Sequence, residues 1–141
     1  MAEQGIVGRG VLLDFHSWRL AQDPPIPFDP FQSNSIPLTH LEATAEAQGT
    51  DIKFGDILLV RSGYLSTQIQ KTEDELSSLK DVMPPTFGGV EQSEEMLRWI
   101  WENFSAVAGD QPSFECWRVF PPFLILLPML REIQLPFSNF S

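Results

Sequence analysis

The chain has 141 residues, enough for one domain, and carries 19 acidic against 9 basic side chains, a formal net charge of −10. This charge disfavours nucleic acid and anionic membrane surfaces as partners, because both are bound through clustered lysine and arginine. The longest apolar stretch, residues 119–130, contains three prolines. It is too short to cross a bilayer, which requires roughly 20 residues.

Metal-ligating and nucleophilic side chains are few. Cys116 is the only cysteine, so an intrachain disulfide is excluded and a reducing compartment, the cytoplasm, is the expected location. We interpret its thiol as a small buried apolar group, because reactivity would require a cationic setting. His16 and His40 are the only histidines. One cysteine and two histidines are few for a complete zinc site, which usually has four ligands.

The first element is the apolar run Val11–Leu13, which predicts a buried strand. Gly8-Arg9-Gly10 precedes it and lacks the G-x-G-x-x-G spacing of a phosphate loop. Asp14 and His16 follow two positions apart, a spacing that places both side chains on one face of a strand. They are the candidate catalytic residues, as an acid–base pair or as two metal ligands. A hydrogen-bonded strand terminus is the favoured interpretation of both.

A proline-rich segment, residues 21–37, comes next and holds five prolines, so we expect an extended ordered loop. Thr39 and Glu42 have the spacing of a capping box, which predicts a helix from Thr39. Gly49 is the expected C-terminal cap of this helix. His40 falls in the first turn and is expected at the surface.

A second strand is predicted at Ile57–Val60, after a turn at Gly55-Asp56. Arg61 and Ser62 leave this strand at its end. Proteins of the α/β class often place ligand-binding groups at that position. We therefore take Arg61 and Ser62 as the candidate substrate-binding residues.

Two further helices and a strand complete the pattern. A second capping-box spacing, Thr72 and Glu75, predicts a helix over residues 73–80. Residues 93–104 predict a helix with an apolar stripe that faces the core. The stripe consists of Leu97, Ile100, Trp101 and Phe104. Residues 105–110 predict a short buried strand, and the alternation of strands and helices predicts an α/β fold.

The composition changes near the end of the chain. Residues 118–141 are apolar, interrupted by prolines and carry a net charge of +1, against −11 for the rest. We therefore predict one domain over residues 1–117 and an atypical tail over residues 118–141.

Three segments, in this order, resemble the fungal branch of the cyclase family, the kynurenine-formamidase-like metal-dependent hydrolases: GIVGRGVLLDFHSW, IPLTHLEATAEAQGTDIKFGDILLVRSGY and GVEQSEEMLRWIWENFSAVAGDQPSFE. The resemblance covers roughly residues 5–117. It implies a swivelling β/β/α fold and hydrolysis of an amide, such as N-formylkynurenine in tryptophan catabolism. It also implies a divalent metal, zinc or manganese, that activates water, and association into dimers or larger homo-oligomers.

The resemblance assigns no metal ligand in this chain. The family signature H-x-G-T-H-x-D precedes the strand that corresponds to Val11–Leu13, and this chain begins just before that strand. A further family His and Glu follow the region that matches PSFE, where this chain has residues 118–141 without a histidine. We therefore expect no bound metal and no activity here. We interpret the chain as a fragment, a truncated product or gene model whose tail arises from a shifted reading frame or a retained intron.

Two non-catalytic interpretations stand beside the hydrolase. In the first, the chain is a remnant that binds a full-length relative or another partner, because missing strands would leave exposed sheet edges. In the second, it is a small-ligand binding module that uses Arg61, Ser62 and the proline-rich loop.

Overall fold

The structure, a computed structural model, describes residues 7–82 and 85–117. The predicted tail, residues 118–141, lies outside the described residues. The elements in chain order are β1 (Gly10–Leu13), α1 (Phe15–Leu20), β2 (Ser35–Ile36), α2 (Leu38–Gln48), β3 (Asp56–Val60), α3 (Tyr64–Gln70), α4 (Glu73–Lys80), β4 (Gly89–Val90), α5 (Glu94–Asn103) and β5 (Phe104–Gly109). The α/β class is therefore confirmed. Among the described helices, none is long and apolar enough to cross a membrane.

A three-stranded parallel sheet in the order β1-β3-β5 organises the molecule. Leu13 on β1 lies opposite Val60 on β3, and Val60 lies opposite Gly109 on β5. The three strands therefore end level with one another. Because parallel strands point the same way, the residues that follow them gather at one edge of the sheet. We call residues 14, 61–63 and 110 at this edge the carboxyl edge.

The core lies on one face of this sheet. Val11 and Leu13 of β1 are 4% and 0% exposed, whereas Leu12 between them is 49% exposed. The predicted strand is confirmed, but it is buried on one side only, where α2 packs. The central cluster of buried side chains consists of Val11, Leu13, Phe15, Ile36, Leu41, Ala45, Leu58, Val60, Val90 and Met96.

The strand predicted at the end of the domain exists as β5, but the prediction that it is buried is wrong. Residues 105–109 are all exposed. The physical reason is its place in the sheet, since among the described strands β5 is the outer one and pairs with β3 alone. An outer strand presents unpaired backbone groups along its free side.

Helix α5 is confirmed, and its predicted core face is right in part: Ile100 and Phe104 pack against the core, whereas the other two predicted residues are exposed. The Ser93 side chain caps the helix by accepting the Met96 N–H at 3.1 Å. Leu97 and Trp101, which we placed in the core, are 43% and 86% exposed. The inward side of the helix is shifted from Leu97 and Trp101 toward Met96 and Trp99. Its inward side chains are Met96, Trp99 and Ile100.

Helix α2 is confirmed with a different start. It begins at Leu38, and the predicted capping box of Thr39 and Glu42 does not form, because Thr39 already lies inside the first turn. The Leu38 N–H instead donates to Glu91 Oε1 at 2.9 Å. Glu91 follows β4, so a residue distant in sequence caps the helix. Gly49 ends α2 in the left-handed conformation, φ 61°, as predicted.

Helix α4 has the capping box that its sequence predicts. The Thr72 N–H donates to the Glu75 carboxylate at 2.7 Å, and the Glu75 N–H donates to Thr72 Oγ1 at 3.3 Å. Both partners are local in sequence, so the spacing alone was sufficient to identify the start of this helix.

Residues 21–34 form no helix or strand, and two aromatic anchors hold them to the rest of the domain. The Phe28 ring packs edge-on against Phe15, with ring centroids 5.2 Å apart. The Phe31 ring lies 4.6 Å from Tyr64 at the start of α3. The proline-rich segment then ends in β2, which pairs with β4 in a second, two-stranded sheet.

Two single-residue predictions have different outcomes. His40 is half-buried rather than at the open surface, because its imidazole lies against Phe15 and Trp18, with ring centroids 6.1 and 5.3 Å away. Cys116 is fully buried, as predicted.

Candidate functional site

The structure places three of the four predicted site residues at the carboxyl edge and the fourth, His16, directly beside it. Asp14 follows β1, and Arg61 and Ser62 follow β3. His16 lies beside them, since its backbone N–H donates to the Arg61 carbonyl oxygen at 3.0 Å. The prediction that Asp14 and His16 share a strand face is wrong, because the strand ends at Leu13 and a helix follows at once.

Asp14 is the N-cap of α1. Its Oδ1 accepts the Ser17 N–H at 2.9 Å, as capping aspartates commonly do. Its Oδ2 accepts from Ser17 Oγ at 2.9 Å and from Arg61 Nη1 at 2.7 Å. Burial acts to raise the pKa of Asp14, but these hydrogen bonds outweigh it and the net effect lowers the pKa. An acid of low pKa stays ionised near neutral pH and is a poor general base.

Arg61 bridges the first turns of two helices. Besides Asp14, its guanidinium donates to Ser17 Oγ on α1 and to Ser66 Oγ on α3, both at 3.1 Å. Its side chain remains 37% exposed. A guanidinium has five N–H donors in a planar fork. Arg61 can therefore hold the carboxyl edge together and still present donors to a ligand.

Ser62 is fully buried and binds Asp110, the residue that follows β5. Asp110 Oδ1 accepts the Ser62 N–H at 2.6 Å and the Ser62 hydroxyl at 2.7 Å. Asp110 Oδ2 accepts the Gly63 N–H at 3.1 Å. One carboxylate therefore fixes the turn from β3 into α3. Ser62 is a structural residue of the edge rather than a group that faces a substrate.

His16 is half-buried between positive charges. Its Nδ1 lies 3.4 Å from Arg19 Nη2. Burial lowers the pKa of His16, and the charges of Arg19 and Arg61 lower it further, against the opposing effect of Asp14 and Asp110. The imidazole is therefore neutral at pH 7. It is the group at this edge that could accept a proton near neutral pH.

Gly63 makes this packing of His16 possible. Its φ of 93° is a left-handed conformation that favours glycine. A methyl group added at Gly63 would overlap the His16 imidazole. The ring thus lies directly against the backbone of the β3–α3 turn.

The residues at the carboxyl edge do not fit a divalent metal. Within residues 7–82 and 85–117, no three His, Cys, Asp or Glu side chains converge to form a ligand set. Both carboxylates of the edge, Asp14 and Asp110, already accept hydrogen bonds from protein donors on each oxygen. A metal ion would have to displace these donors, and the Arg61 guanidinium beside Asp14 adds a repulsive positive charge.

Sequence reasoning missed Asp110 and Arg19 as members of this site. Asp110 had a usable signal, because it follows a predicted strand just as Asp14 and Arg61 do, and parallel strands would bring all three together. Arg19 had none. It reaches the site because a single residue separates β1 from α1, and this short helix was not predicted.

Comparison with known proteins identifies the family of this chain. The family model described as "Putative cyclase" matches residues 1–116. The chain belongs to this cyclase family. A search of curated proteins finds no match.

A solved structure has the same fold as this cyclase-family chain. It is a crystal structure of a protein described as a novel cyclase, with a TM-score of 0.64 and 22% sequence identity. The match covers 86% of this chain and 37% of the other. The chain therefore spans well under half the length of that cyclase, and the match supports the fold alone. The predicted cyclase-like α/β fold is thus confirmed.

Proposed function

We propose that this chain is part of an amide hydrolase of the cyclase family, whose substrate is N-formylkynurenine or a related amide. The 141-residue chain by itself binds such an amide without hydrolysing it. The observation that carries the proposal is the state of the two carboxylates at the carboxyl edge. Asp14 and Asp110 are both held by protein donors and are not arranged as metal ligands. The divalent metal implied by the resemblance, zinc or manganese, has no fitting ligand set among the described residues.

Ligand binding is supported by the charge at this edge. Arg61 is partly exposed, whereas Arg19 is buried beside the His16 imidazole. The guanidinium that could meet a substrate carboxylate is therefore that of Arg61, which pairs with Asp14 and keeps further N–H donors. The edge is also the place where open parallel sheets generally bind ligands.

The experiment is an assay of the purified chain with N-formylkynurenine and zinc or manganese, with formate release as the readout. The proposal predicts no release above a metal-only blank. It also predicts saturable binding of the amide by calorimetry, weakened about tenfold to a hundredfold in Arg61→Gln, since a hydrogen bond to a charged group contributes about 1.5–3 kcal/mol. Arg98→Gln is the matched control, because Arg98 lies on the surface of α5, where it pairs with Glu94. Turnover above the blank would refute the proposed lack of hydrolysis.

A second candidate is favoured by the exposed strand β5. Its residues 105–109 are exposed, and within residues 7–82 and 85–117 no strand pairs with its outer side, which could therefore pair with another chain. The chain would then function by association with a second copy or with a longer relative. Size-exclusion chromatography with light scattering tests this candidate, and a compact monomer at all concentrations would count against it.

A further inference from the structure

A cavity lies beside Tyr64, the first residue of α3, and none of its described lining residues belongs to the carboxyl edge. Its volume is about 500 Å³, and it is a cleft, open to solvent on one side, between α3, α4, residues 85–87 and the proline-rich loop. We call it the α4 pocket. Its described lining residues are Phe31, Tyr64, Gln68, Leu76, Leu79, Lys80, Val82, Pro85, Thr86 and Phe87.

The apolar side of α4 faces this pocket instead of protein. None of the residues of α4 is fully buried. Leu76 and Leu79 are half-buried, and both line the pocket together with Val82 just beyond the helix. Protein interiors are normally packed to the density of organic crystals. An apolar helix side beside a space of this size, within the roughly 300–1,000 Å³ typical of ligand sites, suits an apolar ligand.

Three aromatic rings shape one wall of the pocket. The Phe31 and Tyr64 rings lie 4.6 Å apart, and the Phe87 ring stands at 67° to Tyr64, with centroids 6.5 Å apart. Thr86 Oγ1 donates to the Phe31 carbonyl oxygen at 2.9 Å and so ties the two sides of this wall together. Fixed aromatic faces and edges favour a flat ring as the occupant, because stacked and edge-on arrangements both require planarity.

The charge of the pocket is opposite to that of the chain. The chain has 19 acidic side chains, yet the described lining contains no Asp or Glu and one cation, Lys80. A second cation, Lys71, holds its Nζ 5.1 Å from the centroid of the Phe31 ring. An anionic group on the ligand would therefore be drawn to the Lys80 end.

We propose that the α4 pocket binds a planar aromatic carboxylate, with its ring against Phe31, Tyr64 and Phe87 and its carboxylate at the Lys80 ammonium. The site does not depend on the proposed hydrolase function, because it shares no residue with the carboxyl edge. A neutral aromatic molecule is the competing occupant, and the probes below distinguish the two.

The experiment is calorimetric titration of the full 141-residue chain with three probes: 2-naphthoate, its neutral amide 2-naphthamide, and the non-planar decalin-2-carboxylate. The expected dissociation constant of 2-naphthoate is about 0.1–1 mM, as for a good fragment-sized ligand. We expect it to bind about fivefold more tightly than either of the other two probes, the effect of one partly exposed ion pair or one stacked ring. Equal binding of the acid and the amide overturns the carboxylate, and no saturable binding of any probe overturns the site.

Two variants locate the binding. Lys80→Gln should reduce the affinity for 2-naphthoate about fivefold and leave that for 2-naphthamide unchanged. Lys53→Gln is the matched control, because Lys53 precedes β3 at the opposite end of the sheet and pairs with Asp51. Leu79→Phe should fill part of the pocket and weaken both aromatic probes, with no loss of thermal stability. If Lys80→Gln and Lys53→Gln bind 2-naphthoate equally well, the proposal is wrong.

Discussion

The Asp110 carboxylate is the strongest single connection between the ends of β3 and β5, so Asp110→Asn should destabilise the fold. Its two shortest hydrogen bonds, from the Ser62 N–H at 2.6 Å and the Ser62 hydroxyl at 2.7 Å, share Oδ1. Ser62 is fully buried, so a lost bond leaves an unsatisfied group. Hydrogen bonds to a charged acceptor contribute about 1.5–3 kcal/mol each. An amide of the same shape keeps one acceptor oxygen, and we therefore expect a loss of about 2–4 kcal/mol in the free energy of unfolding.

Urea unfolding followed by circular dichroism measures this loss. A change of 2–4 kcal/mol corresponds to a decrease in Tm of about 8–16 °C for a domain of this size. Asp81→Asn is the control, since Asp81 is exposed at the end of α4, and surface substitutions usually change stability by less than about 0.5 kcal/mol. If both variants are equally stable, Asp110 does not hold the edge as we describe.

Three further predictions concern other parts of the structure. Gly63→Ala should lower the free energy of unfolding by about 2–4 kcal/mol, because alanine is strained in the left-handed conformation and its methyl group would overlap His16. A variant as stable as the wild type in thermal unfolding would contradict this packing. The His16 imidazole should titrate by NMR with a pKa below its ordinary 6.5, because of burial and then of Arg19 and Arg61. Since the unfolded chain then binds a proton more readily than the folded chain, the free energy of unfolding should fall as the pH drops below about 6.5. His16→Gln should flatten this pH dependence. An unchanged pH dependence in His16→Gln would count against a lowered pKa of His16. Met96→Ala should lower the free energy of unfolding by about 2–5 kcal/mol, and Trp101→Ala should lower it by less than about 0.5 kcal/mol. Equal losses in denaturant unfolding would mean that α5 faces the other way.

The sequence was sufficient where the determining contacts are local. The capping box of Thr72 and Glu75 and the glycine stop at Gly49 both depend on neighbouring residues, and both predictions are confirmed. It was insufficient where tertiary contacts decide. The start of α2 is set by Glu91, far along the chain, and the exposure of β5 is set by its outer place in the sheet.

The candidate site shows the same division. Arg61 and Ser62 were placed correctly at a strand end, because a buried strand followed by polar residues is visible in the sequence. The relation of Asp14 to His16 could not be predicted, since the residues that follow a strand can either continue the strand or begin a helix. Only the fold shows that Asp14 caps α1 and that Asp110 arrives from β5 to bind Ser62.

The most direct test of the proposed function is a calorimetric titration of the metal-free 141-residue chain with zinc and with manganese. If Asp14 and Asp110 are held by protein donors as described, neither ion finds a saturable one-to-one site, and Asp14→Asn titrates like the wild type. One-to-one binding of either metal that disappears in Asp14→Asn would contradict the account and restore the carboxyl edge as a metal centre.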